Sequence, residues 1–211
     1  QGSVVNEIAT GKIIDAHCHV WTSDTERYPL AAGFDRDDRL LGLPSFTPDD
    51  HFEYSRAVGD VRINLVQIEE YGLDHSYILD LIDGDPQKFV GTGLVPAVVD
   101  VSLASPDKSM VDLSRGGIYA FRVRGQGRRT MSFNDWPRWL DHDGYHKMFK
   151  AGAEHGLAIS FLMRPDDVPE LDRMCGLYPE TPVIIDHMGG VRKIDGEFPE
   201  EKVDALCSMA R

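Results

Sequence analysis

The stretch KIIDAHCHVW, residues 12–21, sets two histidines one residue apart at the end of a short apolar run. In an extended strand alternate side chains share a face, so His17 and His19 point the same way. Asp15 joins them on that face, and Cys18 and Val20 take the other. Two imidazoles converging at a strand's end suit a divalent metal or a carbonyl in need of polarisation. The pattern therefore predicts a first strand over Lys12–Ala16 with chemistry at its C-terminal tip.

Working outward, apolar runs recur at Val61–Ile68, Phe89–Pro96, Ile118–Val123, Leu157–Met163 and Pro182–Asp186. They are nearly continuous rather than alternating, as in parallel strands covered on both faces. Helical patterns lie between them. Thr47-Pro48-Asp49-Asp50 offers an N-cap, a proline at the first helical position and an acidic first turn. Tyr77, Ile78, Leu81 and Ile82 form an apolar stripe that ends near Gly84, and Tyr145, Met148 and Phe149 another that closes at Gly156. Val168, Leu171, Met174 and Cys175 repeat the spacing. This alternation predicts an α/β protein with a parallel sheet, either doubly wound or a (β/α)8 barrel. After the first strand the chain reads AHCHVWTSD, without the glycine-rich turn of a nucleotide-binding doubly wound sheet. The segment Trp21–Ser45, rich in Asp, Pro and Gly, is long for a βα loop, and loops of that length often cover sites.

Charge narrows the partners. Over 211 residues, 22 basic side chains face 35 acidic ones, a net charge of −13. That disfavours a phosphate backbone, so no nucleic acid is expected. Arg122, Arg124, Arg128 and Arg129 form a local basic exception suited to a small anion. Cys18, Cys175 and Cys207 are widely spaced with no CxxC, the usage of a reducing, cytoplasmic compartment. No apolar run approaches the ~18 residues of a membrane span, and no signal-peptide pattern precedes the first strand. Residues 1–11, opening with Gln1-Gly2-Ser3, read as a tag remnant and lead-in, and 12–211 as one barrel domain.

The strand tips concentrate the polar groups. His17 and His19 stand on the first, Gln67 on the second with Glu69 and Glu70 just beyond, Arg122 and Arg124 on the fourth, and Asp186-His187 on the sixth. A lone strand-end histidine is commonly a structural hydrogen-bonding group. Two on one tip and a third on another point to shared chemistry. His51, His75, His142, His146 and His155 fall on helical or loop stretches and are expected at the surface. Cys18 is expected to be a small buried apolar group. Arg122 fits either a structural pair with a carboxylate such as Asp15 or a substrate anion. Trp136-Pro137-Arg138-Trp139 fits either a substrate lid or loop packing.

Together these motifs resemble the amidohydrolase superfamily. IIDAHCHVW at 13–21 and PVIIDHMGG at 182–190 look like its first- and sixth-strand motifs. LVQIEEYGLDHSYILD at 65–80 and GGIYAFRVR at 116–124 are similar to second- and fourth-strand segments of one branch. That branch contains 2-pyrone-4,6-dicarboxylate lactonase and L-fuconolactonase. The resemblance implies a (β/α)8 TIM barrel with its site at the strand C-terminal mouth, of which about six βα units are present. It implies His17, His19 and His187 as the catalytic, metal-binding or carbonyl-polarising histidines. It implies Arg122 as a substrate-anion contact, with Arg124, Gln67 and Tyr71 as further substrate-binding candidates. Two departures matter. LAISFLMRP, the fifth strand, has no histidine, and Arg122 stands where binuclear members carry a bridging lysine or glutamate. The expected cofactor is therefore a single divalent ion, zinc first, with metal-free catalysis as the alternative. The family runs for two further βα units and ends in a strand whose aspartate activates water. The polypeptide is accordingly expected to continue past Arg211.

The function expected on this basis is a metal-dependent or metal-assisted hydrolase. It opens a lactone or similar cyclic ester of a small carboxylate or sugar acid, water attacking the carbonyl. The expected partner is a small anionic substrate, without a membrane, in a monomer or homo-oligomer. Two alternatives stand beside it. One is a non-oxidative decarboxylase, against which the missing strand-five histidine counts. The other is a non-catalytic small-acid binding protein.

Overall fold

The computed structural model describes residues 13–34, 44–96, 105–125, 138–193 and 195–209. The lead-in residues 1–11, Arg128, Arg129, Trp136 and Pro137 lie outside the described residues. The chain forms two compact units, Gln1–Gly91 and Thr92–Arg211, divided inside the third strand.

In the first unit, β1 (Ile13–Cys18), α1 (Pro48–Ser55), β2 (Val61–Val66) and α2 (Ser76–Gly84) lead into β3 (Phe89–Leu94). The strands lie in the order β1-β2-β3. α1 begins where its cap dictates. The Thr47 hydroxyl accepts from the Asp50 amide, and the Asp50 carboxylate accepts from Thr47 N at 2.8 Å, with Pro48 opening the first turn. α2 buries Tyr77, Ile78 and Ile82 on one side and leaves Asp80 and Asp83 in water. β2 buries Val61, Ile63, Leu65 and Val66, whereas β1 leaves Ile14 66% exposed. β1 and β2 pair in parallel, Ile13 opposite Val61 and Asp15 opposite Ile63, but the next partners are Cys18 and Leu65. β1 thus carries one extra residue between Asp15 and Cys18, a bulge that breaks strict alternation.

In the second unit the order is β3-β4-β5-β6, with β4 (Ile118–Arg124), β5 (Ala158–Leu162) and β6 (Val183–Ile185). Helices α3 (Pro106–Ser114), α4 (Asp143–His155), α5 (Val168–Leu177) and α6 (Glu200–Ser208) alternate with them. α4 ends as its sequence predicts, on Gly156 in the left-handed conformation at φ 66°. Phe121, Phe149, Phe161, Met148, Ile159, Leu171 and Met174 are buried, with the Phe149 and Phe161 rings 6.1 Å apart. Each such side chain contributes ~1.5–3 kcal/mol by leaving water. α3 was not among the helices expected, although Ser105-Pro106-Asp107 repeats the start signal of Thr47-Pro48-Asp49.

The six strands, each followed by a helix, have the βα order of a (β/α)8 barrel. No helix among the described residues is long and apolar enough to cross a membrane.

Gly152 is held by space rather than by backbone conformation. A Cβ on Gly152 of α4 would lie 2.7 Å from Thr181 Cγ2 and 2.8 Å from the Leu157 carbonyl oxygen. Helix propensity favours alanine by ~1 kcal/mol, while overpacking costs ~1–3 kcal/mol. The backbone carbonyl cannot rotate away as a side chain could. Gly152→Ala is therefore expected to lower stability, by about 1 kcal/mol net. A urea midpoint equal to or above the parent's would show that the turn at Leu157 yields.

Candidate functional site

Each unit carries one half of the polar constellation read from the strand tips. In the first, β1 delivers His17 and His19, both half-buried. Their Nε2 atoms stand 3.3 Å apart and their rings meet edge to face at 84°. His19 Nδ1 lies 2.8 Å from the Val66 carbonyl at the end of β2. A carbonyl only accepts, so Nδ1–H is the donor and the lone pair of a neutral ring sits on Nε2. This is how a histidine ligand is fixed in tautomer and orientation. Two tetrahedral ligands at ~2.0–2.1 Å from zinc stand about 3.3–3.4 Å apart. The separation of the two Nε2 atoms fits that span, so this pair suits a divalent ion.

Asp15 does not follow the alternation expected of it. Just before the bulge, its carboxylate engages α1, where Oδ2 accepts from His51 Nε2 at 2.7 Å, while Oδ1 accepts from the His17 amide at 3.1 Å. Burial pushes the Asp15 carboxyl upward, but the hydrogen bonds from His51 and His17 outweigh it and the net shift is downward. His51 is therefore not the surface residue its helical position suggested, its side chain being only 13% exposed. His75 departs in the same way. It is buried, with Nδ1 donating to the Leu73 carbonyl at 2.9 Å, and burial depresses its basicity. Cys18 is buried as expected, and its thiol is pushed up to about 12 by burial and the Asp15 charge. Asp15, Cys18 and His51 bring one possible ligand atom each within 4.8 Å of one another. Within this trio Asp15 and His51 are hydrogen-bonded to each other.

Gln67 and Tyr71 are both buried. Gln67 Nε2 donates to the carbonyls of Asp74 at 2.7 Å and Gly72 at 3.3 Å, fixing the 67–74 turn. Its Oε1 is buried with no hydrogen-bond partner among the described residues. The Tyr71 hydroxyl accepts from the Thr22 amide at 3.0 Å, anchoring the start of the long loop. That loop is tied down further on, where Tyr28 donates to Asp80 at 2.9 Å and Arg27 pairs with it at 2.7 Å.

In the second unit, β4 and β5 pair so that Arg122 lies beside Ser160, and β6 ends one residue before Asp186. Arg122 Nε stands 3.2 Å from Asp186 Oδ2, the two side chains being 8% and 4% exposed. The carboxylate partner of Arg122 is thus Asp186. Ser160 donates to the same carboxylate, 3.0 Å from each oxygen. Burial lowers the Arg122 guanidinium from its ordinary range while Asp186 acts in the opposite direction. Arg124 follows on the same strand, half-buried.

His187 comes immediately after Asp186 and is exposed. It opens a left-handed turn, with φ of 51° at His187, 53° at Met188, 60° at Gly189 and 70° at Gly190. A non-glycine residue in this region costs roughly 1–2 kcal/mol, and such strain concentrates at functional positions. The glycine pair also permits close approach. A Cβ on Gly190 would lie 3.2 Å from the Met163 carbonyl oxygen. The sequence signal for this turn was the paired glycine of DHMGG. Ser160 left no such signal, because its importance comes from strand register.

The family model for amidohydrolases matches residues 14–203, nearly the whole chain. The chain belongs to the amidohydrolase family. Among solved structures, this amidohydrolase is similar to a probable 2-pyrone-4,6-dicarboxylic acid hydrolase from Acinetobacter baumannii with citric acid bound. The identity is 18% and the TM-score 0.65, covering 93% of this chain and 66% of that one. A putative 2-pyrone-4,6-dicarboxylic acid hydrolase from Pseudomonas putida matches at 20% identity and TM-score 0.60, covering 83% and 57%. An amidohydrolase from Burkholderia multivorans with bound zinc matches at 13% identity and TM-score 0.61, covering 94% and 64%. The chain spans less than two thirds of the length of these neighbours. At such identities the likeness establishes the fold, a partial (β/α)8 barrel. Comparison with the curated proteins finds no match.

Proposed function

We propose that this amidohydrolase opens a lactone, or a similar cyclic ester of a small carboxylate or sugar acid, by attack of water on the ring carbonyl. The observation that carries the proposal is the His17–His19 pair, with Nε2 atoms 3.3 Å apart and His19 locked by Val66. His17 and His19 would hold one divalent ion, which when bound polarises a carbonyl, and His187 is a further catalytic candidate. The rest follows from the chain's own side chains. Arg122, set by Asp186 and Ser160, binds a carboxylate substituent of the substrate, with Arg124 as a second anion contact. Gln67 offers to a substrate hydroxyl its buried Oε1, which has no hydrogen-bond partner among the described residues. Tyr71 acts by fixing the loop that starts at Thr22. The names of the Acinetobacter and Pseudomonas neighbours support a pyrone dicarboxylate as the first lactone to try.

The test measures acid release from 2-pyrone-4,6-dicarboxylate and from sugar-acid lactones, with metal stripped and then restored as zinc. Turnover of at least one lactone is expected. A protein that releases acid from none of them, but carbon dioxide from a carboxylated phenol, would belong with the 5-carboxyvanillate decarboxylase that is also among its structural neighbours.

A further inference from the structure

We propose that His51 and Asp15 are positioning residues for His17. His51, on α1, holds the Asp15 carboxylate, and Asp15 holds the His17 backbone amide inside the β1 bulge. This inference rests on the assignment of His17 and His19 as ligands of a divalent ion. It adds two residues that do not touch the ion.

Between Asp15 and Cys18, β1 advances three residues while β2 advances two, from Ile63 to Leu65. A bulged residue is left out of the ladder, its strand bends, and its side chain is re-aimed. His17 lies within that interval, so its direction depends on what holds its backbone there. The group that does so is Asp15 Oδ1, 3.1 Å from the His17 amide. A carboxylate bonded two residues ahead along its own chain is a local turn device. Here it is not left to rotate, because its other oxygen meets His51 Nε2 at 2.7 Å.

His51 has no competing polar role. Its Nδ1 is buried without a hydrogen-bond partner among the described residues, so Asp15 is the one polar group its ring serves. The ring is kept in place by neighbouring aromatics, with Phe52 at 6.0 Å and Phe46 at 6.4 Å between centroids. α1, itself started by the Thr47–Asp50 capping box, is thereby coupled to the direction of His17. The partner histidine is served independently, since His19 is locked by the Val66 carbonyl. Each member of the pair thus has its own support, one from a backbone carbonyl and one through a carboxylate and a helix.

Groups that orient a metal ligand from behind typically change metal affinity ~10–100-fold when removed. The experiment titrates zinc against a chromophoric chelator in the metal-free full chain. It compares the parent, His17→Ala, Asp15→Ala, His51→Leu and His51→Gln, with thermal melting of each. Loss of zinc binding is expected in His17→Ala. A ~10–100-fold weaker affinity is expected in Asp15→Ala and His51→Leu, with much of it recovered in His51→Gln, which restores a donor to Asp15. If His51→Leu does not fold, His51→Phe keeps a ring between Phe46 and Phe52 and is read in the same way. Parent-like affinity in the Leu or Phe variant, with binding lost in His17→Ala, overturns the inference and leaves the metal assignment standing. A parent that binds no zinc overturns both. A cobalt-substituted protein whose thiolate absorption disappears in Cys18→Ser would also overturn it, because Asp15, Cys18 and His51 would then be ligands themselves.

Discussion

Alanine at His17 or at His19 is expected to lower kcat/KM for the lactone by ~10²-fold or more, the scale of losing one preorganised electrophilic contact. His187→Ala is expected to do the same. The thermal midpoint should stay near the parent's in all three, since none of these side chains belongs to the buried core. The His19 variant tests the geometry most directly. With Nδ1 committed to Val66, its Nε2 lone pair is fixed in direction, 3.3 Å from that of His17. Substituting His19→Gln keeps an acceptor but loses the ring that spans from the carbonyl to the pair, so it should recover little. Activity within about tenfold of the parent in any alanine variant would remove that residue from the site. A midpoint that falls along with activity would assign the loss to folding instead.

Much of the scaffold behind these residues was legible because its signals are local. Thr47-Pro48-Asp49-Asp50 encodes a helix start through hydrogen bonds within four residues, and Gly156 encodes a stop through a single backbone conformation. The six strands stood out as apolar runs, with ends displaced by only one or two residues, as at Val61–Val66 against Val61–Ile68. What could not be read depends on register or on a partner distant in sequence. The β1 bulge is invisible in IIDAHC, so simple alternation puts Asp15 on the histidine face, whereas the structure ties it to α1. His51 followed for the same reason: an isolated polar residue on a short helix looks solvated until its strand partner is known. Ser160, an unremarkable residue in AISFL, acquires its role only through pairing opposite Arg122. Helix starts, helix stops and strands are therefore legible in local pattern, whereas the contacts of Asp15, His51 and Ser160 depend on register and on distant partners.

That distinction gives the second large effect, in the stability of the other unit. Arg122 and Asp186 face each other with side chains 8% and 4% exposed, and Ser160 donates to the same carboxylate. Removing one member of a buried ion pair leaves an uncompensated charge and costs ~3–5 kcal/mol. Asp186→Ala should therefore depress the thermal midpoint by roughly 6–20 °C for a chain of this size. Asp186→Asn keeps an acceptor for Ser160 and should cost less. The decisive variant is the double replacement Arg122→Met with Asp186→Leu. Apolar groups of similar volume often replace a buried ion pair at little cost in stability. The double variant should thus regain most of the midpoint lost in Asp186→Ala, while carboxylate-bearing lactones still bind poorly for want of the guanidinium. Stability and binding then separate, which is the behaviour expected if Asp186 is present to hold a cation for the substrate rather than to hold the fold. If the double variant is no more stable than Asp186→Ala, the pair is structural in its own right. If it binds anionic lactones as the parent does, the anion contact lies elsewhere.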